Sequence, residues 1–152
     1  MPHILRSASF IAVSLLLGAS LGASAQQAAP PLAEVLTGKT LSAVLFLPHE
    51  TGGGGGGSLD RVMFQAYLRP DGSALVRRWQ PAQNAYSPVG ERRWSVTGNR
   101  LCLDFPPNER VPHLCVEIHV WGPRIAGNTT GPGQFAMLDG DIEPGNSIAG
   151  AH

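Results

Sequence analysis

Apolar and polar residues alternate along much of the chain from residue 41 onward, which is the pattern of β-strands with one buried face. Turn residues, chiefly proline and glycine, separate these segments from one another. The predicted strands are Leu41–Leu47, Arg61–Arg69, Ser73–Gln80, Glu91–Thr97, Arg100–Phe105, Leu114–Val120 and Gln134–Leu138. Upstream, Pro31–Leu36 fits a short helix that Gly38 is placed to end. The pattern therefore predicts a mainly β domain, a small antiparallel barrel or sandwich of about seven strands with one short N-terminal helix.

Two turns and a pair of cysteines predict the strand pairing in the middle of the chain. Pro70-Asp71-Gly72 and Gly98-Asn99 have the residues of hairpin turns, each with a glycine that can take a positive φ. With Gly98-Asn99 as the loop, Ser95 faces Cys102, and placing Cys102 opposite Cys115 adds a third strand. Because side chains alternate between faces, one apolar set then shares a face. Its members are Trp94, Val96, Leu101, Leu103, Leu114, Val116 and Ile118.

The first 25 residues have the pattern of an export signal, with an apolar run at Phe10–Leu17 and a small-x-small triplet at the end. Cleavage is predicted between Ala25 and Gln26. A membrane-spanning helix needs ~20 apolar residues, more than this run offers. No cysteine for a lipid lies near the cut. We therefore predict a signal peptide at 1–25 and a single exported β-domain at 26–152, without a stable membrane anchor.

Two segments of this domain are expected to be loosely held. The loop at 48–59 contains Gly52–Gly57, and successive glycines resist ordering because glycine loses the most backbone entropy on folding. The end of the chain from Asp139 onward lies in a region rich in glycine and is expected to be loose as well.

Charge and composition indicate which class of partner is not favoured and which compartment is expected. The chain has 11 Lys and Arg against 11 Asp and Glu, so nothing favours nucleic acid as a partner. The abundance of Ala, Gly and Arg is typical of a GC-rich bacterial gene, which makes the periplasm the expected compartment. In an oxidising space, an even number of cysteines predicts a disulfide, Cys102–Cys115. A metal pair or a catalytic thiol is the alternative, although Cys-x12-Cys alone is not a zinc pattern.

Two groups of polar residues are candidates for a site. In the register defined by the disulfide, Asp104 lies opposite His113, and Glu117 and His119 share their face. These four residues form a candidate metal or proton-transfer cluster. The simpler and favoured interpretation is a surface ion pair that contributes at most ~1 kcal/mol to stability. Acids at every second position from Asp139 to Glu143 offer a weaker candidate for Ca²⁺.

Several short motifs resemble a group of small exported proteobacterial proteins of unknown function. The shared pattern is a Trp-containing strand, an N-x-L-C strand, a partner Cys and a late P-G-N. In this chain it corresponds to Gly90–Val96, Asn99–Leu103, Cys115-Val116 and Pro144-Gly145-Asn146, with Leu36–Leu41 and Pro70-Asp71-Gly72 upstream. The resemblance implies an exported β-domain and no particular activity. Gly52–Gly57 departs from the pattern.

The sequence indicates no catalytic residues, since it lacks a Gly-x-Ser-x-Gly elbow and any other complete catalytic set. A non-catalytic binding or accessory protein is therefore favoured, without a cofactor, whose partner is an envelope protein or a small apolar ligand. The aromatic residues could line a ligand pocket, although in a small domain they usually form the core. Two alternatives stay open: a metal-dependent protein or enzyme that uses the Asp/His/Glu cluster, and an inhibitor of an envelope-degrading enzyme.

Overall fold

The computed structural model describes residues 30–48, 59–105, 111–129 and 135–148. The predicted signal peptide, its cleavage point at Ala25 and Gln26, and the Gly52–Gly57 run lie outside these residues. The elements are α1 (Leu32–Leu36), β1 (Lys39–Pro48), β2 (Leu59–Leu68), β3 (Ser73–Gln80), β4 (Ala85–Tyr86), β5 (Gly90–Thr97), β6 (Arg100–Asp104), β7 (His113–Trp121), β8 (Arg124–Asn128) and β9 (Met137–Pro144).

Eight of the strands form a closed antiparallel barrel, and β4 is an additional strand. Going round the barrel, the order is β1, β2, β3, β5, β6, β7, β8 and β9. β9 pairs with β1 from Lys39–Pro144 to Phe46–Met137, which closes the barrel with the last strand against the first. This closure removes the unpaired edges of an open sheet. The prediction of a small, mainly β barrel with one short helix is confirmed.

The predicted meander of β5, β6 and β7 is confirmed in its register. Ser95 pairs with Cys102 and Cys102 pairs with Cys115, as the turn and the disulfide required. Gly98 has a φ of 62° and Gly72 a φ of 78°, so both glycines take the left-handed conformation that their turns need. The apolar set predicted for one face is buried in the barrel, with Val96 half-buried.

Two strands were missed, and the expectation for the end of the chain is wrong. β8 and β4 were not predicted, and the last predicted strand, Gln134–Leu138, overlaps only the start of β9. Asp139–Pro144 is not loose: it forms the body of β9 and pairs with both β1 and β8. The residues that follow are held as well, because Ile148 is 3% exposed.

One end of the barrel is covered by α1. The helix contacts β1 and β5, which lie three strands apart around the barrel, so it reaches across this end. Leu36 is fully buried in the core cluster, and Leu32 and Val35 pack against it. Gly38, with a φ of 73°, then turns the chain into β1. Within the described parts of the chain, no helix is long and apolar enough to cross a membrane.

Candidate functional site

The opposite end of the barrel contains a cavity of about 310 Å³, which we call the barrel-mouth cavity. Its lining comes from the end of β1, the start of β2, the end of β3 and the residues flanking the β6–β7 connection. These residues are Leu45, Leu47, Asp60, Val62, Arg78, Phe105 and Val111. Leu45 and Leu47 are buried, and Val62 and Val111 are half-buried. The volume lies at the lower end of the range for small-molecule sites, roughly 300–1,000 Å³.

The floor of the barrel-mouth cavity is aromatic. Phe105 lines the cavity, and its ring meets that of Phe64 edge to face, with centroids 5.3 Å apart. Phe64 is on β2 and Phe105 directly follows β6, three strands further round the barrel, so this contact joins two separate parts of the wall. Phe64 is 1% exposed and belongs to the buried core cluster, so the cavity ends on packed side chains at this position.

Two charged side chains lie in an otherwise apolar lining. Asp60 is on β2 and Arg78 on β3, on the inward-facing positions that alternate with the outward-facing ones. Both are already engaged with other groups of the protein. Such a site offers apolar contact over most of its surface, with polar groups at two positions to orient a ligand.

The predicted polar cluster is partly assembled on the outer face of β6 and β7. His113 Nδ1 lies 2.6 Å from Asp104 Oδ1, and its Nε2 lies 3.2 Å from Sγ of Cys115. The disulfide Cys102–Cys115 is present, as predicted, and joins directly opposite residues of the two strands. We refer to Asp104, His113 and this disulfide as the His113 cluster.

The other two candidate ligands lie further along β7. Glu117 is four residues beyond His113, roughly 13 Å at the rise of a strand, and faces Arg100 and Asn128 on the neighbouring strands. His119 faces Ala126 on β8. The structure thus brings together Asp104 and His113 and leaves Glu117 and His119 apart from them. Metal binding by these four residues stays a prediction.

A different metal-ligand group is gathered at the same place. One ligand atom each from Cys102, His113 and Cys115 lies within 4.8 Å of the others. In the structure the two sulfurs are bonded to each other, and it is the thiolate that binds metals. The oxidised pair therefore does not serve as a metal site.

The acids of β9 have protein partners. Asp139 accepts a hydrogen bond of 2.6 Å from Arg124, which also reaches Asp141 at 3.4 Å. Glu143 accepts a hydrogen bond of 2.7 Å from the Ser42 hydroxyl. That bond is the main reason why the pKa of Glu143 lies below its ordinary value, and a hydrogen bond from Ser147 adds to it. The alternating acids suggested a Ca²⁺ site, but in the structure they bind the guanidinium group of Arg124 and the hydroxyl group of Ser42.

The aromatic residues divide between the core and the surface. Phe64, Trp94 and Phe105 are buried, as the interpretation of a core requires, whereas Trp121 is 54% exposed. Trp121 lines a groove of about 590 Å³ on the outer wall of the barrel. Further large side chains of this outer groove are Phe46, His119, Phe135 and Met137.

Of the residues that line the barrel-mouth cavity, only Phe105 was among the aromatic residues considered for a pocket, and the core was the favoured interpretation for it. The alternation along β1 and β2 does not distinguish the wall of a cavity from the wall of a packed interior, so Leu45, Leu47 and Val62 gave no separate indication of a pocket. Comparison with known proteins adds no further indication, because no protein-family model matches the chain and no curated protein matches it significantly.

Proposed function

We propose that the protein is a periplasmic binding protein that holds a small apolar ligand in the barrel-mouth cavity without catalysing a reaction on it. The observation that carries the proposal is the difference between the two ends of the barrel. At one end α1 places Leu36 in the core cluster, whereas the other holds a cavity of about 310 Å³ with an apolar wall. Eight-stranded barrels are wide enough either to be filled by side chains or to hold one small ligand.

The physical gain comes from removing apolar surface from water. Burial of apolar surface contributes about 25 cal/mol per Å², so a small hydrocarbon-like ligand gains affinity chiefly from contact with Leu45, Leu47 and Phe105. Asp60 and Arg78 lie at the same cavity and favour a ligand that carries a polar group at one end. The disulfide is consistent with the oxidising compartment that the export signal predicts.

The test is a titration of the mature protein with a neutral naphthylamine dye whose emission rises in apolar surroundings. Val62→Trp adds bulk to the lining, so it should weaken binding at least tenfold, about 1.4 kcal/mol. Val44→Trp is the matched control, because Val44 faces outward on β1 and does not line the cavity. This control should keep the affinity of the wild-type protein.

Phe46→Ser separates the barrel-mouth cavity from the outer groove, which Phe46 lines. Dye binding that survives Val62→Trp and disappears in Phe46→Ser would place the ligand on the outer wall and overturn the proposal. Absence of dye binding to the wild-type protein, together with a melting temperature that no fatty acid or aromatic alcohol of a panel raises, would overturn it as well. Melting temperatures of the variants show whether each has folded.

A further inference from the structure

The His113 cluster lies at the surface of the barrel wall and is separate from the barrel-mouth cavity lining. The side chain of His113 is 63% exposed and that of Asp104 40% exposed. Cys102 and Cys115 are half-buried. The cluster is therefore open to solvent and to a thiol that approaches from outside.

The two sulfurs of the disulfide have different surroundings, because the contact with His113 is made by Cys115. His113 Nε2 lies 3.2 Å from Sγ of Cys115, at hydrogen-bond distance from this sulfur. The other ring nitrogen, Nδ1, lies 2.6 Å from Asp104 Oδ1, which fixes the direction of the ring. A carboxylate on one side of an imidazole and a sulfur on the other is the order of groups that transfers a proton to or from that sulfur.

We propose that the His113 cluster carries out thiol–disulfide exchange with thiols that reach the outer face of β6 and β7. The thiolate of the substrate attacks Sγ of Cys102, and a new S–S bond forms between them. The Cys102–Cys115 bond breaks, and its electron pair goes to Sγ of Cys115. His113, as the imidazolium, passes the proton on Nε2 to this sulfur, so a mixed disulfide, a Cys115 thiol and a neutral imidazole result. The thiolate of a second substrate molecule then attacks the substrate sulfur of the mixed disulfide, and a new S–S bond forms between the two substrate molecules. The bond to Sγ of Cys102 breaks, its electron pair goes to this sulfur, and Cys102 takes up a proton from the solvent.

His113 determines which of the two sulfurs is attacked and which one departs. Exchange is faster when the departing sulfur is stabilised, because the rate depends on the leaving thiol as well as on the attacking one. Sγ of Cys115 has the proton donor beside it, so this sulfur departs and Cys102 is attacked. Asp104 is a positioning residue, since it holds Nδ1 and contacts neither the substrate nor the bond that breaks.

The experiment follows the reaction of the oxidised mature protein with glutathione by acid quenching, alkylation and mass spectrometry. His113→Gln should slow exchange by about tenfold, less than the 10²–10⁴ typical of general acid catalysis because a thiolate is already a fair leaving group. His119→Gln is the matched control on the same face of β7, and it should react at the wild-type rate. Peptide mapping of the wild-type adduct should place glutathione on Cys102 and the alkyl label on Cys115.

Asp104→Asn should slow exchange less than His113→Gln does and should keep glutathione on Cys102, which a general loss of structure would not do. Equal rates in His113→Gln and the wild-type protein would overturn the proposal. An adduct divided equally between the two cysteines would overturn it too. So would a wild-type disulfide that glutathione attacks only after unfolding in denaturant, because such a disulfide has a purely structural role.

Discussion

Removing the hydroxyl of Thr40 tests how the end of the chain is held. Thr40 is fully buried at the start of β1, and its Oγ1 donates a hydrogen bond of 2.8 Å to the carbonyl of Gly145. The same oxygen accepts a hydrogen bond of 3.0 Å from the N–H of Ser147. One hydroxyl therefore joins the first strand to the residues that follow the last strand. Thr40→Val keeps the shape of the side chain and removes both bonds.

The magnitude follows from what the two backbone groups lose. A buried donor or acceptor left without a partner costs about 1–3 kcal/mol. Gly145 and Ser147 are exposed, so water replaces part of each bond. We therefore expect Thr40→Val to lower the free energy of unfolding by about 1–2 kcal/mol in total. For a domain of this size, that corresponds to roughly 4 °C in melting temperature for each kcal/mol.

Urea unfolding and amide hydrogen exchange measure the two consequences. Thr37→Val is the matched control, because its hydroxyl bonds the carbonyl of Ala33 at an exposed turn and should matter by less than ~0.5 kcal/mol. In Thr40→Val the amide of Ser147 should also exchange faster. If Thr40→Val unfolds at the same urea concentration as Thr37→Val and Ser147 keeps its protection, Thr40 does not anchor the C-terminal segment.

Two further predictions concern the contact between β1 and β9. In Gly140→Ala the added Cβ would lie 2.5 Å from the carbonyl oxygen of Ser42, so the two strands must shift. We expect the free energy of unfolding to fall by about 1–3 kcal/mol, measured as a lower midpoint of urea unfolding. An unchanged midpoint would contradict this tight approach. The lowered pKa of Glu143 stabilises the fold above the ordinary glutamate value of about 4.3, and this contribution is lost as the pH falls through the lowered value. Ser42→Ala removes the main cause, so its unfolding midpoint should fall less than that of the wild-type protein between pH 7 and pH 3, and equal acid sensitivity would refute the assignment.

The central register was predictable because two constraints act on the same strands. Gly98-Asn99 fixes one pairing through the positive φ of Gly98, and the disulfide fixes the next through a covalent bond. The alternation of side chains then fixes the register of these strands, because a slip of one residue would turn every apolar side chain outward. The opposition of Asp104 and His113 followed from the same constraints.

β8 was missed because its sequence has the composition of a loop. Gly127 lies in this strand opposite Ile118, and an added Cβ would meet the carbonyl oxygen of Glu117 on β7. The glycine is needed for a close approach of two strands, yet from the sequence it indicates a break. β4 was missed for another reason: its pairing covers two residues, and Tyr86 is held by ring contacts with Trp79 and Arg77 rather than by a long ladder.

The glycine-rich composition after Val120 suggested a loose end, and the acids of β9 suggested a site for Ca²⁺, because the strands that pair with this segment cannot be identified from its own sequence. Asp139 and Asp141 face outward at alternate positions of a strand, and Arg124 on β8 binds both. Leu138, Gly140 and Ile142 between and beside them are buried. In the sequence this segment has little apolar surface, and it becomes a strand because β1 is available to pair with it.

The barrel-mouth cavity depends on the same closure, which explains why no local pattern reveals it. Leu45 and Leu47 come from the first strand, whereas Phe105 and Val111 flank a connection near the middle of the chain. These residues face a common space only because β9 returns to β1 and makes the sheet a tube. The helix that precedes β1 fills the far end with Leu36, so the tube has one covered end and one end with space. The function that we propose therefore arises from closure of the barrel, whereas the His113 cluster arises from a single pair of strands, so the position of Asp104 opposite His113 beside the disulfide could be predicted from the sequence.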